Sequence, residues 1–107
     1  MPDAVNPRLE QATAVIHLDA IQANLQLAKQ LAPGSQLLAM VKANAYGLGL
    51  LPVAKALAPV VDGFAVALID EALTLAEARQ GQSKPPLLIL QGWQQPDELQ
   101  EISQQGW

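Results

Sequence analysis

The sequence predicts an α/β fold in which parallel strands alternate with helices. The first observation is a set of three short, continuously apolar runs at residues 37–41, 64–69 and 87–90. The second is that segments with apolar residues at helical spacing follow these runs, and the run centres stand roughly one βα unit apart. Runs without polar alternation are expected of strands that are covered on both faces, as in a parallel sheet with right-handed crossovers.

The first 19 residues are predicted to form an N-terminal arm and a strand ahead of the α/β unit at 20–107. Residues 1–13 combine prolines with polar side chains, which is typical of an arm or loop. Residues 14–18 are a short apolar, β-branched run, which predicts a strand. His17, the single histidine of the chain, is expected to be an ordinary residue of that strand with no catalytic role.

The first helix has predicted start and stop signals. Asp19 is expected to cap the helix, with Gln22 as the reciprocal partner of a capping box. The pair at 33–34, proline followed by glycine, predicts its end.

The later helices are marked by proline and by acidic residues. Pro52 is predicted to be the first residue of the second helix, where a proline is well tolerated. Asp70 and Glu71 place negative charge at the start of the third helix, and the pair at 96–97 opens the fourth.

The composition excludes several classes of function. The chain has 107 residues, half of them apolar, and a net charge of −4, which indicates a globular protein without a nucleic-acid partner. It has no cysteine, which excludes a thiolate nucleophile, and one histidine, so no metal site is expected. The sequence shows neither a signal peptide nor an apolar stretch of membrane-spanning length, so a cytoplasmic location is expected.

The length limits the architecture. A (β/α)8 barrel needs about 250 residues, so this chain could supply only the first strands and helices of a TIM-like barrel. The alternative is a small open α/β sheet that is complete in itself. The absence of a clear closing element after the last predicted helix favours a truncated barrel.

One segment, residues 39–49, carries the chemistry. Lys42 directly follows a predicted buried strand, at the carboxyl edge where parallel α/β sheets bind ligands. Partial desolvation there would favour the free amine that forms a Schiff base. Gly47 and Gly49 permit a tight turn with exposed amides, which suits a phosphate, and Tyr46 could donate its hydroxyl to that anion. Each feature alone is more often structural, and their co-occurrence favours a site.

The segment VKANAYGLG at residues 41–49 closely resembles the cofactor-lysine motif of the alanine racemases. The likeness continues in order along the chain. Residues 18–25 resemble the start of the family's first helix, 64–73 its next strand and helix, and 86–90 its third barrel strand. The sequence is therefore similar to the N-terminal portion of a pyridoxal-phosphate-dependent alanine racemase.

The resemblance implies an isomerase that interconverts L- and D-alanine by a two-base mechanism and supplies D-alanine for peptidoglycan. Family members are homodimers with an N-terminal (β/α)8 barrel and a C-terminal β domain, and the C-terminal β domain is not expected within these 107 residues. Lys42 would hold pyridoxal 5'-phosphate covalently and act as one base. Tyr46 would donate a hydrogen bond to the cofactor phosphate, and Leu90 would lie beside the cofactor ring. The strand at 14–18 would belong with the β domain.

Two departures from the family pattern bear on activity. Leu48 stands where the family usually has a histidine, so the local support of the cofactor is expected to differ. The second base of the family is a tyrosine of the partner subunit, whereas this chain has one tyrosine, Tyr46. We therefore expect a fragment that racemises alanine poorly or not at all on its own.

Other interpretations stay open. One is a non-catalytic fragment or degenerate paralogue that binds pyridoxal phosphate. Another is a related amino-acid racemase of broader specificity, or a decarboxylase of the same fold type. The last is a stand-alone interaction module in which the lysine motif is a coincidence. An open three-stranded sheet is also expected to expose apolar surface and to self-associate.

Overall fold

The computed structural model describes residues 12–78 and 85–107. Within these ranges the strands are β1 (Leu38–Met40), β2 (Gly63–Val66) and β3 (Leu87–Ile89). The α-helices are α1 (Leu18–Leu31), α2 (Leu50–Leu57), α3 (Ile69–Ala78) and α4 (Pro96–Gln105). A further short helical turn, Lys42–Tyr46, lies between β1 and α2. None of the helices in the described ranges is both long and apolar enough to cross a membrane.

The three strands form one parallel sheet in the order β1-β2-β3. Ala39 of β1 pairs with Phe64 of β2, and Ala65 of β2 pairs with Leu88 of β3. Each pair of neighbouring strands is joined through a helix, because α2 connects β1 to β2 and α3 connects β2 to β3. The predicted α/β class with a parallel sheet is therefore confirmed.

The core lies between one face of the sheet and the helices. Phe64 and Val66 of β2 are fully buried, and they pack in one cluster with Leu75 of α3 and Val53 of α2. Leu18, Ile21 and Leu25 of α1 are partly buried against the same cluster. Burial of side chains of this size is the main stabilising contribution, about 1.5–3 kcal/mol for each large apolar residue.

The expectation that all three strands are covered on both faces holds for β2 alone. Every residue of β2 is buried, but Leu38 and Met40 of β1 and Leu88 of β3 are exposed. Strand residues alternate between faces, and these three side chains share the face opposite the core. That face therefore remains open in this structure, and the prediction is wrong for the two outer strands.

The strand predicted at residues 14–18 is also not observed. Residues 12–17 have no regular structure, and Leu18 begins α1. His17 lies at the N-cap of α1, where its carbonyl accepts hydrogen bonds from the N–H groups of Ala20 and Ile21. A strand is stable only beside a ladder partner, and β1 is paired with β2 alone among the described strands. Residues 1–11 of the predicted arm lie outside the described residues, and the boundary at 19/20 stays a prediction.

The predicted capping box of α1 is wrong. Asp19 lies in the first turn, and the N-cap residue makes no side-chain hydrogen bond. Gln22 instead donates a hydrogen bond from Nε2 to the carbonyl of Ala56 at 2.8 Å. This contact joins α1 to α2 and holds the Gln22 side chain there, away from the backbone N–H group that it would accept in a capping box.

The starts of the other helices differ less from the predictions. Pro52 is the third residue of α2 rather than the first, but it still lies in the first turn, where an N–H group has no intrahelical acceptor. Asp70 and Glu71 lie in the first turn of α3 as predicted, and α4 begins at Pro96 as predicted. Glu98 accepts hydrogen bonds from the N–H groups just before α4.

A charged cluster ties α1 to the amino end of the sheet. The Nζ atom of Lys29 donates a hydrogen bond to the carbonyl of Val60 at 2.7 Å and lies 3.6 Å from Oδ1 of Asp62. The other carboxylate oxygen of Asp62 accepts a hydrogen bond from the N–H of Leu37 at 2.7 Å. This end of the sheet is held by structural contacts, and the opposite end carries Lys42.

Candidate functional site

Lys42 lies at the carboxyl edge of the sheet, as the sequence predicts. The N–H of Val41 donates to the carbonyl of Ala65 at 2.9 Å, one step beyond the last residue of β1, and Lys42 follows. Its side chain is partly exposed, and within residues 12–78 and 85–107 its ammonium has no hydrogen-bond or ion-pair partner. A lysine amine at this edge is therefore available to a ligand.

The residues after Lys42 form a left-handed turn. Ala43, Asn44 and Ala45 have φ angles of 53°, 56° and 54°, with ψ angles of 49°, 43° and 47°. Tyr46 follows with a φ of 57°. Each non-glycine residue in this region costs about 1–2 kcal/mol relative to the right-handed helix. Strained backbone of this kind concentrates at functional sites, and surrounding contacts must hold it in place.

Hydrogen bonds and one buried side chain hold the left-handed turn. The N–H of Ala45 donates to the carbonyl of Val41 at 3.0 Å, and the N–H of Gly47 donates to the carbonyl of Ala43 at 3.0 Å. The side chain of Ala45 is buried in the core cluster. The turn ends at Gly47, whose φ of 87° suits a residue without a Cβ atom.

Asn44 connects the left-handed turn to α2. Its side-chain oxygen Oδ1 accepts a hydrogen bond from the N–H of Leu50 at 2.8 Å, and its carbonyl accepts one from the N–H of Gly49 at 2.9 Å. Leu50 is the first residue of α2, so Asn44 satisfies a donor that the helix itself leaves free. Asparagine also tolerates the left-handed conformation better than most residues.

Glu71 contacts both the left-handed turn and the end of β2. Its Oε2 atom accepts a hydrogen bond from the N–H of Ala43 at 2.6 Å. Its Oε1 atom accepts hydrogen bonds from the N–H groups of Ala67 at 2.9 Å and Leu68 at 3.0 Å. A single carboxylate thus joins the backbone beside Lys42 to the neighbouring strand.

These contacts set the ionisation of Glu71. Desolvation raises the pKa of this carboxyl, but hydrogen bonds from the N–H groups of Leu68, Ala43 and Ala67 lower it. The positive charge of Lys42 lowers it further, and the net effect holds the pKa of Glu71 below its ordinary value. The group is therefore a carboxylate at neutral pH.

Tyr46 and Leu90 lie at the same edge as Lys42. Tyr46 is the last residue of the left-handed turn, and 62% of it is exposed. The N–H of Leu90 donates to the carbonyl of Val66 just after β3, and 48% of this residue is exposed. Because β2 lies between β1 and β3, two strand spacings of about 4.8 Å each separate Lys42 from Leu90. The three predicted site residues therefore lie along one edge of the sheet and are spread across its width.

An open groove of about 480 Å³ lies beside this edge. It is lined by the left-handed turn, the start of α2 and the first turns of α3, through Asn44, Gly49, Leu50, Leu51, Pro52, Asp70, Glu71 and Thr74. Lys42, Tyr46 and Leu90 do not line it. The lysine site is therefore the open edge of the sheet rather than this groove.

Glu71 is the site residue whose role at the site the sequence pattern did not predict. The pattern placed it correctly at the start of α3, where an acidic residue is common. Its bonds to Ala67 and Leu68 are local and could have been expected from a glutamate in a first helical turn. The bond to Ala43 spans 28 residues, and no local pattern indicates it.

Comparison with known proteins identifies the family. A family model described as "Alanine racemase, N-terminal domain" matches residues 16–107 of this chain. The chain belongs to the alanine racemase N-terminal domain family. The resemblance noted in the lysine motif is therefore confirmed.

Alanine racemases of several bacteria are similar to this chain over most of its length. The alanine racemase of Xanthomonas oryzae pv. oryzae is 49% identical over 96 residues, which are 90% of this chain and 25% of that protein. The biosynthetic alanine racemase of Escherichia coli O6:H1 is 45% identical over 95 residues, 89% of this chain and 25% of that protein. The chain thus spans about a quarter of the length of these relatives.

The biosynthetic alanine racemase of Pseudomonas aeruginosa has a similar solved structure. It superposes with a TM-score of 0.73 at 43% sequence identity, over 82% of this chain and 24% of that one. The agreement confirms the α/β fold and its assignment to the first strands and helices of the racemase barrel. The family is one of isomerases, and this chain carries its N-terminal part.

Proposed function

We propose that this chain provides the cofactor-lysine region of an alanine racemase, an enzyme that interconverts L- and D-alanine with pyridoxal 5'-phosphate. The observation that carries the proposal is the placement of Lys42. Its amine has no partner among the described residues, and it stands at the carboxyl edge next to a strained left-handed turn. Membership of the alanine racemase family supports this assignment.

The residues at this edge fit pyridoxal phosphate. An unpaired primary amine is the group that condenses with the aldehyde of this cofactor. The hydroxyl of Tyr46 lies on an exposed residue and can donate a hydrogen bond to a phosphate oxygen. Leu90 offers an exposed apolar side chain to one face of a ring. Lys42 would hold the cofactor covalently, Tyr46 would bind its phosphate, and Leu90 would contact its ring.

The chain's own residues supply part of the proton transfer. Pyridoxal phosphate, when bound, acts as the electron sink that allows the α-proton of an amino acid to leave. The amine of Lys42 can take up or return that proton on one face of the α-carbon. Racemisation needs a second acid or base on the opposite face, and Tyr46, the only tyrosine, is assigned to the phosphate.

The second base must therefore come from another part of the enzyme. We propose that the active enzyme is a cytoplasmic homodimer in which the partner subunit provides it, and that the D-alanine formed is used for peptidoglycan. The small-molecule substrate follows from the names of the relatives, each of which is an alanine racemase.

Reductive trapping tests the role of Lys42. The chain is incubated with pyridoxal phosphate, reduced with borohydride and mapped by peptide mass spectrometry. We expect the pyridoxyl group on Lys42, its loss in Lys42→Ala and its retention in Lys55→Ala, because Lys55 is an exposed lysine of α2 away from the edge. Equal labelling of Lys29, Lys42 and Lys55 would contradict the proposal.

A second candidate function is cofactor binding without racemisation. The observation that favours it is the single tyrosine, Tyr46, which leaves this chain without a second tyrosine to act as the base on the opposite face. Both candidates predict trapping at Lys42, and they differ in whether D-alanine forms once the rest of the enzyme supplies the second base. We expect negligible D-alanine from the chain alone with L-alanine and pyridoxal phosphate. Appreciable D-alanine would show that the described edge already contains a complete pair of bases.

A further inference from the structure

We propose that Glu71 is a positioning residue for Lys42, because its carboxylate fixes the backbone that carries the lysine to the end of β2. The proposal deepens the proposed function and rests on Lys42 as the cofactor lysine. Glu71 would act through the main chain, because its carboxylate oxygens bond to the backbone N–H groups of Ala43, Ala67 and Leu68.

The hydrogen bonds of the sheet show why the carboxylate is needed. In the parallel ladder the N–H of Val41 donates to the carbonyl of Ala65, and the next bond of a continuing ladder would run from the N–H of Ala67 to the carbonyl of Val41. That carbonyl instead accepts the N–H of Ala45 from the left-handed turn. The N–H of Ala67 is thereby left without its strand partner.

Glu71 provides the acceptor that the N–H of Ala67 lacks because the left-handed turn occupies the carbonyl of Val41. Its Oε1 atom accepts the N–H of Ala67 at 2.9 Å in place of the carbonyl of Val41. Its Oε2 atom reaches the N–H of Ala43 at 2.6 Å, which belongs to the peptide bond that begins at Lys42. One side chain therefore replaces the missing ladder bond between β1 and β2 and holds the turn at the same point.

The same geometry leaves the amine of Lys42 free. Both oxygens of Glu71 are occupied by backbone N–H groups, and the ammonium is not within ion-pair distance of an acidic group in the described ranges. A carboxylate paired directly with the ammonium would hold the lysine charged and unreactive. Glu71 instead orders the main chain and keeps its charge near the site without a direct contact.

The test in the wild-type chain uses the amide protons as probes. We expect the amide shifts of Ala43, Ala67 and Leu68 to change together with one midpoint as the pH is lowered from 7 to 3, because all three donate to one titrating carboxylate. In Glu71→Gln this shared titration should vanish, whereas Glu77→Gln, an exposed control on the same helix, should retain it. An Ala43 amide that does not titrate with Ala67 in the folded chain would overturn the proposal.

The functional consequence is measured as selective labelling. In Glu71→Gln the single amide oxygen can accept from Ala43 or from Ala67 but not from both sides, so the link between the backbone of Lys42 and the end of β2 should be lost. We expect pyridoxyl labelling of Lys42, relative to Lys55 in the same sample, to fall roughly tenfold, because small misplacements of a reacting group cost rate steeply. Glu77→Gln should leave the ratio unchanged.

A second variant separates the effect of the hydrogen bond between Ala43 and Glu71 from the effects of charge and of folding. Glu71→Asp keeps the negative charge but is one methylene shorter, so it cannot reach both Ala43 and Ala67. We expect it to lose the Ala43 titration and the selective labelling while its circular dichroism spectrum stays native. If Glu71→Asp and Glu71→Gln both retain the wild-type labelling of Lys42, the positioning role of Glu71 is wrong and the proposed function is unaffected. If the wild-type chain is labelled without preference for Lys42, the proposed function is wrong. The amide titration would still report on the contact between Glu71 and Ala43.

Discussion

The carboxylate of Glu71 accepts a hydrogen bond from the N–H of Ala43 at 2.6 Å across 28 residues of sequence. This contact joins the first turn of α3 to the left-handed turn that follows β1. The same carboxylate bonds to the end of β2, so the two strand ends beside Lys42 are held by one side chain. The stability of the site and its pH dependence should therefore both depend on Glu71.

The first prediction concerns the stability contributed by Glu71. We expect Glu71→Gln to lower the free energy of unfolding at pH 7 by about 1–2 kcal/mol, because partly exposed hydrogen bonds to a charged acceptor are weakened or lost. Urea unfolding followed by circular dichroism measures this change. Glu77→Gln is the matched control and should change the stability by less than about 0.5 kcal/mol.

The pH dependence of that difference has a defined sign. The folded-state pKa of Glu71 lies below its ordinary value, because hydrogen bonds and the charge of Lys42 outweigh desolvation. Its stabilisation is therefore fully present above the ordinary glutamate range and is lost as the pH falls through the lowered folded pKa. The difference in stability between wild type and Glu71→Gln should shrink as the pH is lowered from about 5 to about 3, the range in which glutamate ordinarily titrates. A gap that stays constant over this range would rule out the effect.

The second prediction concerns Gly47. Its φ of 87° lies in the left-handed region, and a Cβ atom built on it would meet no neighbour within 4 Å. Any cost of Gly47→Ala therefore comes from the backbone, and we expect about 1 kcal/mol of destabilisation. Gly34→Ala is the control, because Gly34 has the same open surroundings without a left-handed φ. Equal effects of the two substitutions on the unfolding midpoint would contradict this explanation.

The third prediction concerns Asn44. Asn44→Ala removes the acceptor for the N–H of Leu50 and a side chain that tolerates the left-handed region. We expect a loss of about 1–2 kcal/mol, similar to the loss of a helix cap. Asn44→Asp retains an oxygen at the same position and should lose less than half as much. Hydrogen exchange of the Leu50 amide should be faster in Asn44→Ala and near wild type in Asn44→Asp.

The fourth prediction contrasts the two faces of the sheet. Phe64 is 1% exposed on the core face, so Phe64→Ala should lower the free energy of unfolding by about 3–5 kcal/mol. Leu88 is 45% exposed on the open face, and Leu88→Ala should cost less than about 1 kcal/mol. Denaturant unfolding of both variants measures the contrast. Similar losses would mean that the face with Leu88 is covered in solution.

The fifth prediction concerns that open face directly. Leu38, Met40 and Leu88 expose apolar side chains on one face, and such patches promote association. We expect the chain to self-associate at micromolar to millimolar concentrations in sedimentation experiments. Leu38→Gln combined with Leu88→Gln should shift the distribution toward the monomer. A wild-type chain that stays monomeric throughout this range would refute the prediction.

Patterns in the sequence were sufficient for the elements that form the α/β unit. The apolar runs at 37–41 and 87–90 contain β1 and β3, and the run at 64–69 covers β2 except its first residue, Gly63. The proline and acidic signals lie within the first turns of their helices. Lys42 was placed at the carboxyl edge because it directly follows such a run. These features depend on periodicity and short-range chemistry, which a single sequence carries.

Structural features that depend on residues distant in the sequence could not be predicted from these local patterns. Residues 14–18 have strand composition but no ladder partner among the described strands. Gln22 donates to a carbonyl of α2 instead of accepting an N–H group at the start of its own helix. The open face of β1 and β3 likewise depends on what packs there, because an apolar run is the same whether one face or both are covered.

The order of strands and helices from α1 onward, the family and the position of Lys42 thus follow from the amino-acid sequence alone, because each is encoded in contiguous residues. The left-handed turn at 43–46 and the bond from Ala43 to Glu71 emerge from the folded chain. Four adjacent non-glycine residues adopt an unfavourable conformation there because contacts from α2, α3 and the core compensate for its cost. Such compensation is a property of groups brought together by folding, and no local segment contains it.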